Sequence, residues 1–388
     1  MPGAGTVLGT ALAVLGLCVM DAPGWWGDLN AALSVLGIAI RKFILISWGT
    51  TGASMTQTFH ADIDKIAKEL IEAHALTFRE EDPQITDPLT RWLDYRLRYI
   101  DPRPRDVVRS VGFDSRLPAA VLPALENFIR QSETGADLNP YQTTSIKRND
   151  SSGRKRQLRT DGLWADWKIH HVHLTEKPTS NGNEFSARSD WLLFFVTFPE
   201  HLALIDVRSH NEPGIFQAID LVETVVRNWP EFARNFAFKG IAGLARKPPT
   251  DAQSVKQLRA AGVVQFLEVD GTVYMPFGFG VTTAATSGQV SRISIRVNAL
   301  ASQIEDFFTN PANEPVKTLQ SAGVPNPIFA LEVSPRGKLS VLCAEAATRW
   351  PFPNLPNPQD ARSELEQLFL PTWAGMNLVQ HRAVFVQE

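Results

Sequence analysis

Histidine is the residue type in this chain that most directly suggests chemistry, because its imidazole changes charge near neutral pH and can give or take a proton. Five of the eight histidines lie in one stretch that begins at Trp164. They are His170, His171, His173, His201 and His210. Two arginines and three aspartates lie among them. The stretch therefore predicts a site for acid–base chemistry, for anion binding or for a metal ion.

Metal-independent cleavage of RNA is one reaction that these residue types support, and it needs no cofactor. The reaction requires a base for the 2′-OH, an acid for the leaving oxygen and cations for the charge of the phosphorane. The candidates for the acid and base roles are His171, His173 and His210. Asp206 or Asp190 would orient a histidine by accepting a hydrogen bond from its ring N–H.

Cations for holding the phosphate occur in two places. Arg188 and Arg208 flank the predicted strands, and their planar guanidinium groups suit a phosphate. A polar linker at residues 146–160 carries a second set around a Ser-Ser-Gly turn, and it is either a solvated loop or a track for a polyphosphate backbone. The candidate phosphate-binding residues in this linker are Arg154, Lys155 and Arg156.

The stretches IHHVHL, RSDWLLF and IDVRSH, within residues 161–235, resemble the barnase/RelE-like class of RNase toxins. The resemblance rests on the order of the predicted elements: helices come first, and an antiparallel meander that carries histidine and arginine follows. It implies an endoribonuclease of the toxin or phage-defence type. It also implies RNA as a partner and a protein inhibitor or antitoxin as a second partner.

Two other interpretations remain open. His171 and His173 lie two residues apart, so they share one strand face and would bind a divalent metal together with Asp206 or His210. The third interpretation is structural, with histidines that are satisfied by neighbouring groups and with Asp206 and Arg208 as an ordinary ion pair. In that case the protein is a non-enzymatic binding module.

Three short strands are predicted to position these side chains: Ile169–Leu174, Trp191–Phe198 and Leu202–Val207. Consecutive strands with short connections favour an antiparallel meander. The middle strand is a continuous apolar run, which indicates burial on both faces. An amphipathic helix at Phe216–Asn228 would pack across the sheet, so residues 161–239 form a predicted α+β core.

Residues 55–145 are predicted to be helical, with helical spacing of apolar residues from Ile63 onward and a second helix at Leu89–Ile100. Asp87 is its predicted N-cap, followed by Pro88 at the first helical position. This region is locally basic, and its charges are predicted to form a solvated helix face rather than a phosphate site. The basic residues are Arg91, Arg96, Arg98, Arg103 and Arg105.

Residues 240–388 are predicted to form a second, β-rich α+β domain. Asp270-Gly271 predicts a type I′ hairpin, and the turn after Ser334 predicts another. Ser291–Val297 and Arg382–Val386 are predicted strands, whereas Ala299–Phe308 and Arg362–Leu370 are predicted helices. This half lacks clustered catalytic residue types, which indicates a scaffold or recognition role.

Residues 1–54 differ from the rest because they hold two apolar stretches before an abrupt change at Met55. A membrane anchor, a signal peptide and a translated upstream extension are the alternatives, and the extension is favoured; membrane association is predicted only if these residues are native. The net charge of −3 does not indicate that the chain as a whole binds nucleic acid. Two cysteines that lie far apart in sequence favour a reducing, cytoplasmic location.

Overall fold

The computed structural model describes residues 58–79, 87–148, 160–176, 183–238, 251–260, 263–282, 286–350 and 358–385. Residues 57–388 form one compact unit. The apolar segment 1–54 and most of the basic linker, including the three cations predicted to track phosphate, lie outside the described residues.

A four-stranded sheet forms the centre of the described chain. Its strands are β1 (Asp106–Arg109), β2 (His170–His173), β3 (Trp191–Thr197) and β4 (His201–Ser209), in the order β1-β4-β3-β2. The predicted antiparallel meander is confirmed, because β2 pairs with β3 and β3 pairs with β4 in antiparallel fashion. Strand β1 falls in the region predicted to be helical, and it extends the sheet by pairing parallel to β4.

Both faces of the sheet are buried, as the apolar run in β3 predicts. Phe194 and Val196 point into a core that is completed by α6 (Ile219–Asn228). Phe195 and Leu193 point into a second core that includes α3 (Leu122–Thr134). Alternation along β2 therefore directs His171 and His173 to the face covered by α6, and His170 to the other face.

Helices account for most of the remaining described chain. The other helices up to the end of the α+β core are α1 (Phe59–Ala73), α2 (Pro88–Arg98), α4 (Ser145–Arg148), α5 (Gly162–Trp167) and α7 (Pro230–Ala233). The later helices are α8 (Ala252–Ala260), α9 (Gly288–Thr309), α10 (Glu314–Ser321), α11 (Pro358–Leu368) and α12 (Thr372–Phe385). The start of α2 is as predicted, because Asp87 accepts a hydrogen bond from the Thr90 backbone N–H at 2.6 Å.

Two small antiparallel sheets complete the fold. Their strands are β5 (Ala237–Phe238), β6 (Leu267–Val269), β7 (Thr272–Tyr274), β8 (Phe329–Val333), β9 (Leu339–Cys343) and β10 (Thr348–Trp350). The hairpin at Asp270-Gly271 is confirmed, since both residues have the positive φ that a type I′ turn needs. The hairpin after Ser334 is confirmed by the pairing of β8 with β9.

The largest core within the described residues joins the first two described helices to the last two. Side chains from α1 and α2 pack in one cluster with side chains from α9, from β8 and β9, and from α11 and α12. The predicted regions 55–145 and 240–388 thus share a core instead of forming separate ones. Where they are described, residues 240–388 are mainly helical rather than β-rich. Their strands are only three to five residues long.

Two predicted strands in this half are wrong. Ser291–Val297 belongs to the 22-residue helix α9, in which Val290, Ile293 and Val297 lie buried at helical spacing. The segment from Arg382 continues α12 as far as Phe385. In α9 tertiary burial outweighs the local β-propensity of valine and isoleucine. The end of α12 is not buried, since Val384 is exposed, and there the helix continues past Arg382, which pairs with Glu69 on α1. None of the helices in the described ranges is long and apolar enough to cross a membrane.

Candidate functional site

His171 is held by a residue that the sequence did not single out. Its Nδ1 lies 3.0 Å from Oδ2 of Asp161. The other carboxylate oxygen of Asp161 caps α5, because it accepts from the backbone N–H groups of Leu163 at 2.9 Å and Trp164 at 3.2 Å. Burial alone would raise the pKa of Asp161, but the adjacent His171, followed by Arg98 and the capping bond, holds that pKa well below its usual range.

His173 and His210 form a stacked pair on the edge of the sheet. Their ring centroids are 5.5 Å apart with an interplanar angle of 19°. His173 is buried, and its Nδ1 lies 3.2 Å from both the carbonyl oxygen and the backbone N–H of Ser189. Burial lowers the pKa of His173, which keeps the ring neutral at neutral pH. His210 is exposed, so the pair combines one enclosed imidazole and one that solvent reaches.

Arg188 lies beside this pair. It is exposed and has no ion pair or hydrogen bond within the described residues, and its charge is one of the influences that lower the pKa of His173. Asp190 is exposed, and its backbone carbonyl accepts from the His210 N–H at 2.7 Å. Of the two predicted phosphate-binding arginines that the structure describes, Arg188 is thus the one placed next to the histidines.

Asp206 and Arg208 form an ion-pair network, as the structural interpretation predicts. Asp206 accepts from Nε of Arg116 at 3.2 Å and from Nε of Arg208 at 2.9 Å. Arg208 also pairs with Glu212 at 3.2 Å and with Asp220 on α6. The predicted roles of Asp206 as the partner of a histidine and of Arg208 as a phosphate ligand are not supported, because each group is already paired.

The predicted metal site shares its carboxylate with this ion-pair network. Its carboxylate, Asp206, is held between two guanidinium groups, which compete with any cation for its oxygens. Within the described ranges no three side chains of the His, Cys, Asp or Glu type are grouped so that they could hold a metal ion. Asp206, one of the two predicted third ligands, is therefore engaged elsewhere, whereas His210, the other, stacks on His173.

A cavity of about 260 Å³ lies on the other side of the histidine strand and carries a strong positive charge. We call it the arginine cavity. It is lined by the end of α2 and the segment that follows it, by Lys168 at the end of α5, by His170 at the start of β2 and by the end of β3. Its charged or titratable residues are Arg96, Asp101, Arg103, Arg105, Lys168 and His170.

The cations of the arginine cavity lack enough carboxylate partners. Asp101 is the single carboxylate in the lining, and it is 3.1 Å from Nη1 of Arg96. The side chains of Arg103 and Lys168 have no ion pair or hydrogen bond within the described residues. Arg105 donates instead to two backbone carbonyls, those of Asp101 at 2.7 Å and Phe198 at 3.2 Å.

Burial is the main cause of the lowered pKa values in this cavity, and neighbouring cations are the second cause. Burial, followed by the charge of Arg292, lowers the pKa of Lys168 to about 8. Burial followed by repulsion from Arg103 lowers the pKa of Arg105 to about 10. Burial, with Arg98 next in importance, lowers the pKa of His170 to about 3, so this ring is neutral. An anion in the cavity would relieve the repulsion among these cations.

Two buried polar atoms in the lining have no hydrogen-bond partner among the described residues. They are Nε of Arg96 and the hydroxyl oxygen of Thr197, which offer a donor and a donor–acceptor. Buried polar atoms are usually hydrogen-bonded, because leaving one unsatisfied costs roughly 1–3 kcal/mol. A ligand with several acceptor oxygens would satisfy both.

The sequence predicts that the arginines in and after α2 form a solvated helix face, and this prediction is wrong for four of them. Arg91, Arg96, Arg98 and Arg105 are all buried. The sequence does contain a signal for this burial. Pro102 and Pro104 end the helix, so the arginines around them lie where the chain turns back towards the core. Lys168 has no comparable signal: it reaches the cavity because it ends α5 in the left-handed conformation, with φ of 55°.

Comparison with known proteins adds no functional assignment. No protein-family model, no curated protein sequence and no solved structure matches this chain.

Proposed function

We propose that this protein binds a phosphate-bearing small molecule in the arginine cavity. The observation that carries the proposal is the ratio of four cationic side chains to one carboxylate around a cavity of about 260 Å³. Asp101 is committed to Arg96 and to Nε1 of Trp373, which donates to it at 2.7 Å. Arg103, Arg105 and Lys168 therefore remain to neutralise an anion.

Phosphate fits these groups better than a carboxylate does. A phosphate monoester carries nearly two negative charges at neutral pH and three terminal acceptor oxygens. Guanidinium groups match this geometry because they donate through a planar fork, and the lysine adds a point charge. The unpartnered donor on Arg96 supplies a further hydrogen bond.

Calorimetric titration of the full chain with inorganic phosphate at pH 7 tests this proposal. Arg103 is the best residue to change, since it is exposed and unpaired and its loss should not disturb the core. We expect Arg103→Gln to weaken phosphate binding roughly 10-fold, the value of a charge-assisted hydrogen bond that is partly exposed to solvent. Arg336→Gln removes another exposed arginine, which is not part of the cavity lining, and serves as the matched control. Equal binding by wild type and Arg103→Gln would contradict the proposal.

A second candidate function is RNA cleavage at the His173–His210 pair. The observation that favours it is the 5.5 Å stack of a buried and an exposed imidazole beside the unpaired Arg188. In this proposal His173, neutral because of its lowered pKa, is the base, His210 is the acid and Arg188 stabilises the phosphorane. His171 is then a positioning residue, since it is paired with Asp161.

Cleavage of a single-stranded RNA by the full chain, measured with and without EDTA, tests the second candidate. We expect His173→Ala and His210→Ala each to lower the rate at least about 100-fold, the usual value of a general acid or base. His201→Ala is the matched control, because it removes a histidine from the other end of β4, where its ring stacks on Phe198. A rate that survives both substitutions would exclude this mechanism. RNA as substrate, a protein inhibitor and a cytoplasmic location remain proposals that depend on this result.

A further inference from the structure

A second cavity of about 230 Å³ adjoins the arginine cavity and has a different chemistry. We call it the aromatic cavity. Tyr99 lines both cavities, and its ring stacks on Trp373 with centroids 4.0 Å apart and an interplanar angle of 26°. The guanidinium carbon of Arg96, which belongs to the arginine cavity, lies 5.7 Å from the ring centroid of the same Trp373. The two cavities therefore share one aromatic wall.

The aromatic cavity contains buried polar atoms without partners. Nε2 of His74 and Oδ1 of Asn377 are both buried and have no hydrogen bond. The ring of His74 is neutral at physiological pH, because burial followed by the charge of Lys147 lowers its pKa to about 4. A neutral imidazole and a side-chain amide can each donate or accept, which matches the mixed donor and acceptor edge of a heterocyclic base.

The charges at the aromatic cavity differ from those of its neighbour, because its lining holds two carboxylates, Asp137 and Glu184, and one lysine. Lys147 pairs with Glu184 at its rim, and Asp137 accepts from the hydroxyl of Tyr99 at 3.4 Å. This cavity therefore favours a neutral, planar group, while the arginine cavity favours an anion. Each cavity alone is smaller than the roughly 300–1,000 Å³ of most small-molecule sites, whereas together they fall in that range.

We infer that the ligand is a nucleoside monophosphate, with its phosphate in the arginine cavity, its base in the aromatic cavity and its ribose passing the edge of Tyr99. This inference rests on the proposed phosphate-binding function and adds the base site. Tyr99 and Trp373 supply the aromatic surface against which the base packs. His74 and Asn377 supply the hydrogen bonds that the base edge requires.

The test compares inorganic phosphate, ribose 5-phosphate and the four common nucleoside monophosphates by calorimetric titration of the full chain. We expect at least one nucleotide to bind roughly 10- to 100-fold more tightly than ribose 5-phosphate, the margin that stacking of one base provides. Asn377→Leu should remove most of this margin and leave the affinity for ribose 5-phosphate unchanged. Asn211→Leu, at an exposed position outside both linings, is the matched control.

Asn377→Leu should fold, since it replaces an unpartnered buried polar atom by an apolar group of similar volume. Saturation-transfer NMR on the wild type is independent of any variant, and it should show stronger transfer to the base protons than to the ribose protons. Nucleotides that bind no tighter than ribose 5-phosphate, or a margin that survives Asn377→Leu, would overturn the base site and leave the phosphate site intact. Failure of phosphate and ribose 5-phosphate to bind would overturn the proposed function, and with it this inference.

Discussion

Lys168→Met should change stability and ligand binding in opposite directions. In the folded chain burial lowers the pKa of Lys168 from 10.5 to about 8, so keeping this ammonium group charged at pH 7 costs free energy. The full difference corresponds to roughly 3 kcal/mol, and partial exposure of the side chain reduces it to about 1–2 kcal/mol. The variant should therefore unfold at a higher urea concentration than the wild type at pH 7.

The sign of this effect follows from proton binding. Between pH 8 and pH 10.5 the unfolded chain holds a proton on Lys168 that the folded chain has released, so wild-type stability rises with pH across this interval. The advantage of the methionine variant should be complete below pH 8 and should disappear as the pH approaches 10.5. The backbone at position 168 is left-handed in either case, so the two side chains are compared at the same backbone strain.

Phosphate binding should respond to the same substitution with a loss. The ammonium group faces the arginine cavity without a partner, and a hydrogen bond between charged groups is worth roughly 1.5–3 kcal/mol. We expect the dissociation constant for inorganic phosphate to rise roughly 10- to 100-fold. Lys256→Met, on the exposed side of α8, removes the same charge from the protein and should change neither quantity by a comparable amount.

Urea unfolding and calorimetric titration measure the two effects on the same samples. A structural role for Lys168 predicts that stability falls, with or without a change in binding. A stable variant that binds phosphate as the wild type does would show that the lysine does not face a ligand. The first result would refute the reasoning from the lowered pKa, and the second would refute the role of Lys168 in phosphate binding.

Further predictions concern pH, the cap of α5 and a close backbone contact. The affinity for ribose 5-phosphate should fall as the pH rises above about 8, where Lys168 loses its proton, and below about 6, where the phosphate monoester gains one; titration at five pH values measures this. Asp161→Ala should lower the free energy of unfolding by about 1 kcal/mol more than Asp161→Asn, since asparagine keeps the cap. The stability that the Asp161 charge adds should be present above about pH 4 and lost in more acidic urea titrations, because its pKa is lowered in the fold. Gly278→Ala should cost at least about 2–3 kcal/mol in the same assay, since a Cβ there would lie 2.1 Å from the carbonyl oxygen of Ala165.

The α+β class, the meander and two hairpins could be predicted because their signals are local. The apolar run from Trp191 identifies β3, and Asp270-Gly271 identifies a tight turn. Strand β1 could not be predicted in the same way. It has only four residues, it follows two prolines, and its partner β4 lies about a hundred residues later, so nothing near it in sequence indicates a sheet.

The candidate site was predicted less well than the fold. The histidine stretch led to His173, His210 and Arg188, which do lie together, but also to Asp206 and Arg208, whose charges neutralise each other. The arginine cavity is lined by four separate segments of the chain, and its excess of positive charge can be recognised only when the pairing of the surrounding carboxylates is known. Such a site depends on which side chains pair across long sequence distances, and no local sequence pattern indicates these pairs.

A crystal structure of the full chain with ribose 5-phosphate tests the central claim most directly. The account predicts the phosphate in the arginine cavity, within hydrogen-bond distance of Lys168 Nζ and of the guanidinium groups of Arg103 and Arg105. It also predicts that Nε of Arg96 gains a partner, directly or through water. Phosphate bound at the His173–His210 pair, with the arginine cavity empty, would contradict the account and move the function to the histidines.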